Sequence, residues 1–550
     1  MLLGIDIGGT HTDGVLLEGS KVVKKIKLPT DKNNLAKTIL TSCRRLIADL
    51  DIEQVERVVL STTLVTNLII QEEFEEVGLV LLPGAGLNPA WYSYSPVTKI
   101  ISGTVDHRGR EVESIDQQEL KEKVACLVAE GIDKLSICGK FSTRNPQQEL
   151  KAKEIIEQEF PEVESMVLSH QVVGQLNYPR RIATTYLNSI VQGRYVNFID
   201  AIKEGLEKLN LAVPLYILKA DGGTMPLKDA YQLPIESINS GPAASIMGML
   251  ATVEFDGVTV GLDIGGTTTD ISLFVDGEPL FEPAGMELGG YQTLVKGLYN
   301  QSLACGGDSL IKVEDGALKV GPERKGVAAC YGGPGPTVTD ALTILGLIEV
   351  GEQKKSKVAL EPLANSLNLS INKLAKEVIQ CYITKVKDKL KEILAELNNR
   401  SVYTINQLLT ETEIKPQQLV GIGGPAQALT PKLAEALDLE FVMPKQAEVA
   451  NAIGAGLAKV TKSCTLYADT EQGYYTISEL GIKKQVGQSF NLKDAKREIK
   501  ARLQEELTGQ NPKIEITKAE SFNLVRGFRT AGRIIEVTAQ RKPGITKSNE

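Results

Sequence analysis

The segments GIDIGGTHTDGVLL at residues 4–17 and GLDIGGTTTDISLF at residues 261–274 decide how this chain is read. In order, Gly4, Asp6, Ile7, Gly8, Gly9, Thr10, Thr12 and Asp13 correspond to Gly261, Asp263, Ile264, Gly265, Gly266, Thr267, Thr269 and Asp270. The two copies lie 257 positions apart. Solenoid repeats run about 20–50 residues, so this spacing points instead to two homologous halves, each with its own copy of one site element. Within each copy, two apolar runs flank a Gly-Gly-Thr turn, which reads as strand, tight turn, strand. The glycines permit positive φ and leave backbone N–H groups uncovered by side chains.

A polyphosphate needs such donors at close range, and consecutive uncovered N–H groups form an anion-binding nest. Asp6 and Asp263 end the first strand of each copy. Either can hold Mg²⁺ directly or through water, since that ion prefers few carboxylates and several waters. The hydroxyls of Thr10, Thr12, Thr267 and Thr268 add donors. Two such hairpins facing each other would grip phosphates from both sides, a physical reason to write the segment twice. Asp13 and Asp270 close the loops and either assist the metal or pin the turn through local backbone bonds. His11 stands in the first loop where the second copy has Thr268. The chain has no GxxxxGK[ST] segment and no convincing strand–turn–helix GxGxxG, which disfavours the P-loop and dinucleotide folds.

At 550 residues the chain exceeds one compact core, so two to four domains are expected. A net charge of −8 argues against a nucleic-acid partner. No run approaches the length of an apolar membrane span, and no basic segment precedes an apolar one at the strand-like MLLGIDI start. Seven scattered cysteines without CxxC read as a reduced, cytoplasmic pattern. Strand-like runs precede helical ones at 56–74, 134–149 and 214–250, indicating an α/β architecture. QLVGIGGPAQAL (418–429) reads as strand, glycine turn and helix, and NAIGAGLAKV (451–460) as a small-residue helix that permits close backbone packing. After residue 462, a charged amphipathic helix at 492–507 and two strand-like runs read as a small α/β appendage.

The paired DIGGT hairpins together with GIGGPAQAL resemble the actin, sugar-kinase and heat-shock ATPase superfamily. The resemblance implies an α/β fold of two actin-like (ribonuclease H-like) lobes with a nucleotide cleft between them, and ATP with Mg²⁺ as cofactors. It places Asp6 and Asp263 on the metal, and Gly8, Gly9, Thr10, Gly265, Gly266 and Thr267 on the phosphates. Gly423 and Gly424 would lie under the nucleotide. More specifically, STTLVTNLI (61–69), FSTRNPQQE (141–149), SGPAAS (240–245), DIGGTTTDISL (263–273), YGGPGPTVTDALTILG (331–346) and GIGGPAQAL (421–429) occur in the order seen in the hydantoinase A / 5-oxoprolinase family. The likeness spans about residues 2–460. It implies an N-terminal lobe at 1–172, a hydantoinase A lobe at 173–461 and an appendage at 462–550.

The activity implied is ATP-driven activation of a small cyclic amide or carbonyl compound, by phosphorylation of its oxygen, for hydrolysis or carboxylation. A separately encoded second subunit of the hydantoinase B type is implied as partner, and homo-oligomerisation is left open. Such chemistry rests on positioning and charge neutralisation. On the substrate side stand Thr62, Thr63 and Asn67, at a strand end where α/β folds place ligands; capping the next helix accounts for the threonines equally well. Asp340 follows PTVT at the start of an apolar helix, as a catalytic group or as a cap. His107, in SGTVDHRGRE (102–111), is placed by the likeness in the substrate cleft. Asp308 lies in YNQSLACGGDS (299–309), where the family pattern is His-Thr-Val-Gly-Ala-Gly-Gly-Gly-Ser; here Gln301 replaces the His and Asp308 a Gly. A small-molecule kinase and a nucleotide-gated activator are the alternatives, which the superfamily fold alone does not separate.

Overall fold

The computed structural model describes residues 1–31, 33–48, 50–86, 88, 92, 94–282, 284–399, 413–507 and 512–546. Strands Leu2–Ile7, His11–Glu18 and Lys21–Pro29 form an antiparallel meander. On its other side Leu2–Ile7 pairs in parallel with Arg57–Thr62, which pairs in parallel with Leu215–Leu218. The second sheet repeats this order. Val258–Ile264 and Thr269–Val275 are antiparallel, Glu278–Pro279 and Asn300–Leu303 add to the outer strand, and Gln418–Ile422 and Glu440–Val442 continue in parallel. Two lobes of one α/β topology therefore carry the duplicated hairpins. Leu2–Ile7 is buried almost end to end, as expected for a strand covered on both faces.

The first sheet is completed only after residue 172, because a four-stranded parallel sheet is inserted between Arg57–Thr62 and Leu215–Leu218. Its order is Ser165–Leu168, Lys134–Gly139, Gly78–Leu82, Thr98–Ile100. At the C-terminal end, a five-stranded antiparallel sheet runs Ile482–Gln485, Tyr474–Ile477, Ser463–Asp469, Arg529–Arg541, Ile514–Arg526. The helix Leu492–Glu506 packs on it through Ala495, Ile499 and Leu503, and a capping box at Asn491 and Asp494 starts that helix. No helix among the described residues is long and apolar enough to cross a membrane.

Two helices, Ser240–Thr252 and Ala450–Leu457, fill the space between the lobes. One core joins Val59 and Leu218 of the first sheet, Phe274, Val420 and Ile422 of the second, and Ala243, Ala244, Met247, Ala450 and Ala455 of these helices. The helices meet backbone to backbone. A Cβ built at Gly454 would stand 2.3 Å from the Ala244 oxygen, and one at Gly248 2.2 Å from the Ala450 oxygen. One at Gly4 would stand 2.1 Å from the Ala452 oxygen, so the second helix also lies directly on the first hairpin's leading strand.

Candidate functional site

The two hairpin turns are closed by the same bond. Gly8 N–H donates to the His11 oxygen at 3.0 Å, and Gly265 N–H to the Thr268 oxygen at 3.0 Å. A Cβ at Gly9 would meet nothing within 4 Å, so this tip opens into free space. Register then puts the carboxylates in facing pairs, Asp6 opposite Asp13 and Asp263 opposite Asp270. Like charges directly opposite in an antiparallel pair repel. Burial pushes the Asp6 carboxyl up to about 7, with Asp13 and Asp263 adding to the rise while Ser61 and Asn451 oppose it. Burial followed by the Asp263 charge pushes Asp270 up to about 6. Asp13 and Asp263 are also raised, chiefly by burial. Lys27 is bonded to Asp13 at 2.9 Å and opposes the rise there.

Oδ1 of Asp6 is buried with no hydrogen-bond partner. Asp263 Oδ2 accepts from Ser245 Oγ at 2.5 Å and from Asn451 Nδ2 at 3.1 Å. One partner comes from each interlobe helix, so both lobes and both helices converge on the carboxylates. Among the described residues, no group of three or more His, Cys, Asp or Glu side chains stands ready to enclose a metal. This donor set suits a hydrated Mg²⁺, which takes one or two carboxylates and fills its remaining positions with water and phosphate oxygens. Asp6 and Asp263 could hold it. The third glycine motif closes the arrangement. Gly423 has φ +94°, and a Cβ there would lie 2.4 Å from the Ile264 oxygen and 2.9 Å from Asp263 Oδ1. Only glycine fits both the backbone and the space. Gly424 beside it faces open space.

The loop carrying Asp308 braces the second hairpin. Gly307 N–H donates to the Gly265 oxygen at 2.9 Å and Asp308 N–H to the Gly266 oxygen at 2.6 Å. The Asp308 carboxylate pairs with Arg324 at 3.0 Å. Asp308 and Arg324 both act on the His11 ring, whose pKa is lowered chiefly by burial and by Lys27, so the loop stands across from the first hairpin. Thr10 and Thr268 are half-buried and Thr267 exposed at the tips. Thr12 differs from expectation as a ligand-binding group. It is fully buried and its hydroxyl meets Thr30 Oγ1 at 3.0 Å, so it ties the hairpin to the neighbouring strand.

Thr62 is buried and exchanges bonds with Ser240, its N–H at 3.2 Å from Ser240 Oγ and its carbonyl accepting from that hydroxyl at 2.8 Å. Its own hydroxyl accepts from Leu64 N–H. Thr63 and the exposed Asn67 bond each other at 3.2 Å, and Gly241 lies beside Thr63. This corner abuts the helix that supplies Ser245. His107 is not brought to it. It is exposed, its carbonyl accepts from Arg144, and the adjacent Arg108 is bonded to Asp469 and Glu471 of the C-terminal segment.

Asp340 is a correction to the catalytic expectation. Its carboxylate is fully buried and accepts from Ala329 N–H, Cys330 N–H, Thr337 N–H, Thr337 Oγ and Ser356 Oγ at 2.6–3.0 Å. No lone pair is left for a ligand, and the capping reading describes it. Asp340→Ala leaves these donors unsatisfied and is expected to cost about 3–5 kcal/mol of stability. ATP turnover per folded molecule should stay within about threefold, since the group does not touch the cleft; a urea melt beside an active-site titration checks both. Ser61, Lys27, Ser245 and Asn451 were not singled out in the sequence. The last two sit in the small-residue helices SGPAAS and NAIGAG, and that composition was the available signal.

Residues 2–160 match the model of the Hydantoinase/oxoprolinase N-terminal region, and residues 181–463 that of Hydantoinase/oxoprolinase. The caprolactamase subunit alpha of Pseudomonas jessenii is 27% identical over 503 residues, covering 83% of this chain and 70% of that one. The acetophenone carboxylase gamma subunit of Aromatoleum aromaticum is 26% identical over 428 residues, covering 67% of this chain and 57% of that one. The crystal structure of ATP-dependent caprolactamase from Pseudomonas jessenii superposes with a TM-score of 0.69 at 20% identity, over 98% of this chain and 87% of that one, which shows a shared fold. The chain belongs to the hydantoinase/oxoprolinase family.

Proposed function

We propose that this member of the hydantoinase/oxoprolinase family is an ATP- and Mg²⁺-dependent enzyme that activates a small cyclic amide or carbonyl compound by phosphorylation. The observation that carries this reading is the Asp6 Oδ1 atom, buried without a partner among four carboxylates between two Gly-Gly-Thr turns. The backbone N–H groups of Gly9, Thr10, Gly266 and Thr267 bind phosphate oxygens, and the hydroxyls of Thr10, Thr267 and Thr268 add donors. Gly423 and Gly424 lie under the nucleotide. Asp6 and Asp263 hold the cation, Asp263 oriented by Ser245 and Asn451. The bound cation supplies charge neutralisation across the phosphates. The substrate oxygen attacks the γ-phosphorus as the bond to ADP breaks, and Thr63 and Asn67 orient the substrate at the neighbouring corner. Attack of one water on the activated carbon then expels the ring nitrogen, which takes a proton, and leaves an open-chain acyl phosphate; a second water releases phosphate and leaves the carboxylate.

The relatives named as subunits support a partner chain, for which we propose the hydantoinase B type. Seven cysteines, none in a disulfide, suit a reducing, cytoplasmic setting. We divide the chain functionally as 1–172, 173–461 and 462–550. The test is ADP release measured with 5-oxoproline, ε-caprolactam and hydantoin, together with product analysis. Lactam-stimulated ADP release with ring opening is expected. Accumulation of a stable phosphorylated product would replace the reading by a kinase, and stimulation only by a protein partner, without a small molecule, by an activator.

A further inference from the structure

The C-terminal sheet ends on an open edge. Its last strand, Ile514–Arg526, pairs with Arg529–Arg541 on one side, and among the described residues no strand pairs with the other side. Such an edge offers a row of free N–H and C=O groups to another chain, and folded proteins guard it with a bulge, a lysine or a cover. The first half of this edge is guarded. Ile516 stands opposite Ala539 and Lys518 opposite Thr538, so Thr517 bulges out of register, with Lys518 next to it. From Lys518 onward the strand itself is regular, since the extra residue beyond Leu524 is Ala531 of its neighbour. This second half is unguarded and apolar. Phe522 is 61% and Val525 63% exposed, and Phe528 in the turn is fully exposed. Apolar side chains clustered on a surface mark a place that another chain covers.

The unguarded stretch reads ESFNLVR, residues 520–526, and is complementary to its own reverse. Set antiparallel to a second copy about a two-fold axis at Asn523, Glu520 meets Arg526, Ser521 meets Val525 and Phe522 meets Leu524, each twice. A two-fold contact takes this form, residue i on j and j on i. Side chains alternate along a strand, so Glu520, Phe522, Leu524 and Arg526 share one face. The four pairs on that face are two of opposite charge and two apolar, the combinations that stabilise neighbouring strands. Moving the axis to Phe522 sets Lys518 on Arg526 and Glu520 on Leu524, and moving it to Leu524 sets Phe522 on Arg526, so the pattern selects Asn523. Like charges already stand directly opposite each other across the hairpin at both ends of the stretch, Glu520 with Glu536 and Arg526 with Arg529. The two-fold pairing brings the acidic end of one copy beside the basic end of the other. Lys518 bonds both glutamates at 3.2 and 2.6 Å and Glu471 bonds Arg526 at 2.8 Å, so these exposed charges set register, and the apolar pairs and edge hydrogen bonds supply the strength.

We propose that two copies of this chain dimerise through this edge, their Ile514–Arg526 strands pairing antiparallel about Asn523. The proposal is independent of the nucleotide reading. The test is sedimentation of the full chain over about 1–50 µM, with Mg-ATP affinity titrated separately. A dimer is expected. Phe522→Lys should weaken it at least about 10-fold, and Glu520→Arg and Arg526→Glu about 3–10-fold each. The double exchange restores both ion pairs with their signs reversed, so its affinity should return to within about threefold of wild type. Mg-ATP affinity should stay within about twofold throughout, since these side chains are exposed and far in sequence from the hairpins. Asn523→Cys reads the axis directly. Facing residues of antiparallel strands stand about 4.5–5.5 Å apart between Cα atoms, within reach of a disulfide, so air oxidation should link two copies. Lys518→Cys would lie about 33 Å from its counterpart and should link no faster than wild type. A chain that stays monomeric at about 50 µM overturns the proposal, whether or not a different protein covers the edge. A dimer that Phe522→Lys leaves unchanged, a double exchange no tighter than its parents, or an Asn523→Cys variant that links no faster than wild type overturns it equally. Loss of Mg-ATP binding alone would overturn the hairpin assignment and leave this contact standing.

Discussion

Asp263→Asn is expected to lower Mg-ATP turnover at least about 100-fold while leaving the ligand-free fold intact. Asparagine keeps the outline of the side chain and one oxygen for Ser245 and Asn451, which now meet Asp263 Oδ2. What it removes is the charge proposed to face the phosphates and the cation. The same change relieves repulsion in the empty protein, since Asp263 raises the proton affinity of both Asp6 and Asp270. Asp6 titrates near 7 in the fold against an ordinary 3.8, so between about pH 4 and 7 the folded chain binds more protons than the unfolded one. Stability of the ligand-free chain therefore falls as pH rises through that window. Asp263→Asn should lessen the fall. Melts of wild type and variant at pH 5 and 8, with and without Mg-ATP, test both parts. Ligand at 100 times its Kd adds about 2.7 kcal/mol to the native state. A wild-type shift that persists undiminished in the variant, or wild-type turnover by it, would sink the metal assignment.

The second large effect is expected at the interlobe helices. Gly454→Val places a branched side chain where a Cβ already stands 2.3 Å from the Ala244 oxygen and the Gly248 nitrogen. Both are backbone atoms in a helix and have no rotamer to escape into. Overpacking a tight core costs about 1–3 kcal/mol even where side chains can shift, so at least about 3 kcal/mol is expected here, and the helices must separate. Ala450 and Asn451 lie on the displaced helix, so the Asn451 bond to Asp263 is strained or lost with it. A lowered urea midpoint together with weakened Mg-ATP binding is the expected pair of results. An unchanged midpoint would show that the lobes do not depend on this contact. An exposed control such as Gly131→Ala, with nothing within 4 Å of the added carbon but φ at +87°, isolates the cost of backbone strain alone.

Local sequence carried the hairpins because everything that makes them lies within about fourteen residues. Apolar runs, two adjacent glycines and a bond from Gly8 to His11, or from Gly265 to Thr268, need no distant partner. The duplication of that segment likewise announced two lobes of one topology, and six ordered motifs announced the family. The sheets' completion was less visible, because Leu215–Leu218 joins strands more than 150 residues earlier only through hydrogen bonds and carries no mark of its partner.

The same division explains the site. Asp6 and Asp263 could be named from position at a strand end, a local property. Their neighbours could not: Ser245 and Asn451 are 18 and 188 residues from Asp263, and only the packing of two small-residue helices between the lobes brings them to one carboxylate. Asp340 and His107 mark the converse. Motif likeness put both near the chemistry, but a ring of five donors closes the first carboxylate and packing against the C-terminal segment carries the second away. Sequence alone determined which residues could make a phosphate turn, a carboxylate at its base and two similar lobes, since these follow from φ preferences and side-chain period over a few residues. Tertiary structure alone decided which polar groups are left with unsatisfied hydrogen-bonding capacity, because burial and partnership are set by chain segments that meet only in the folded molecule.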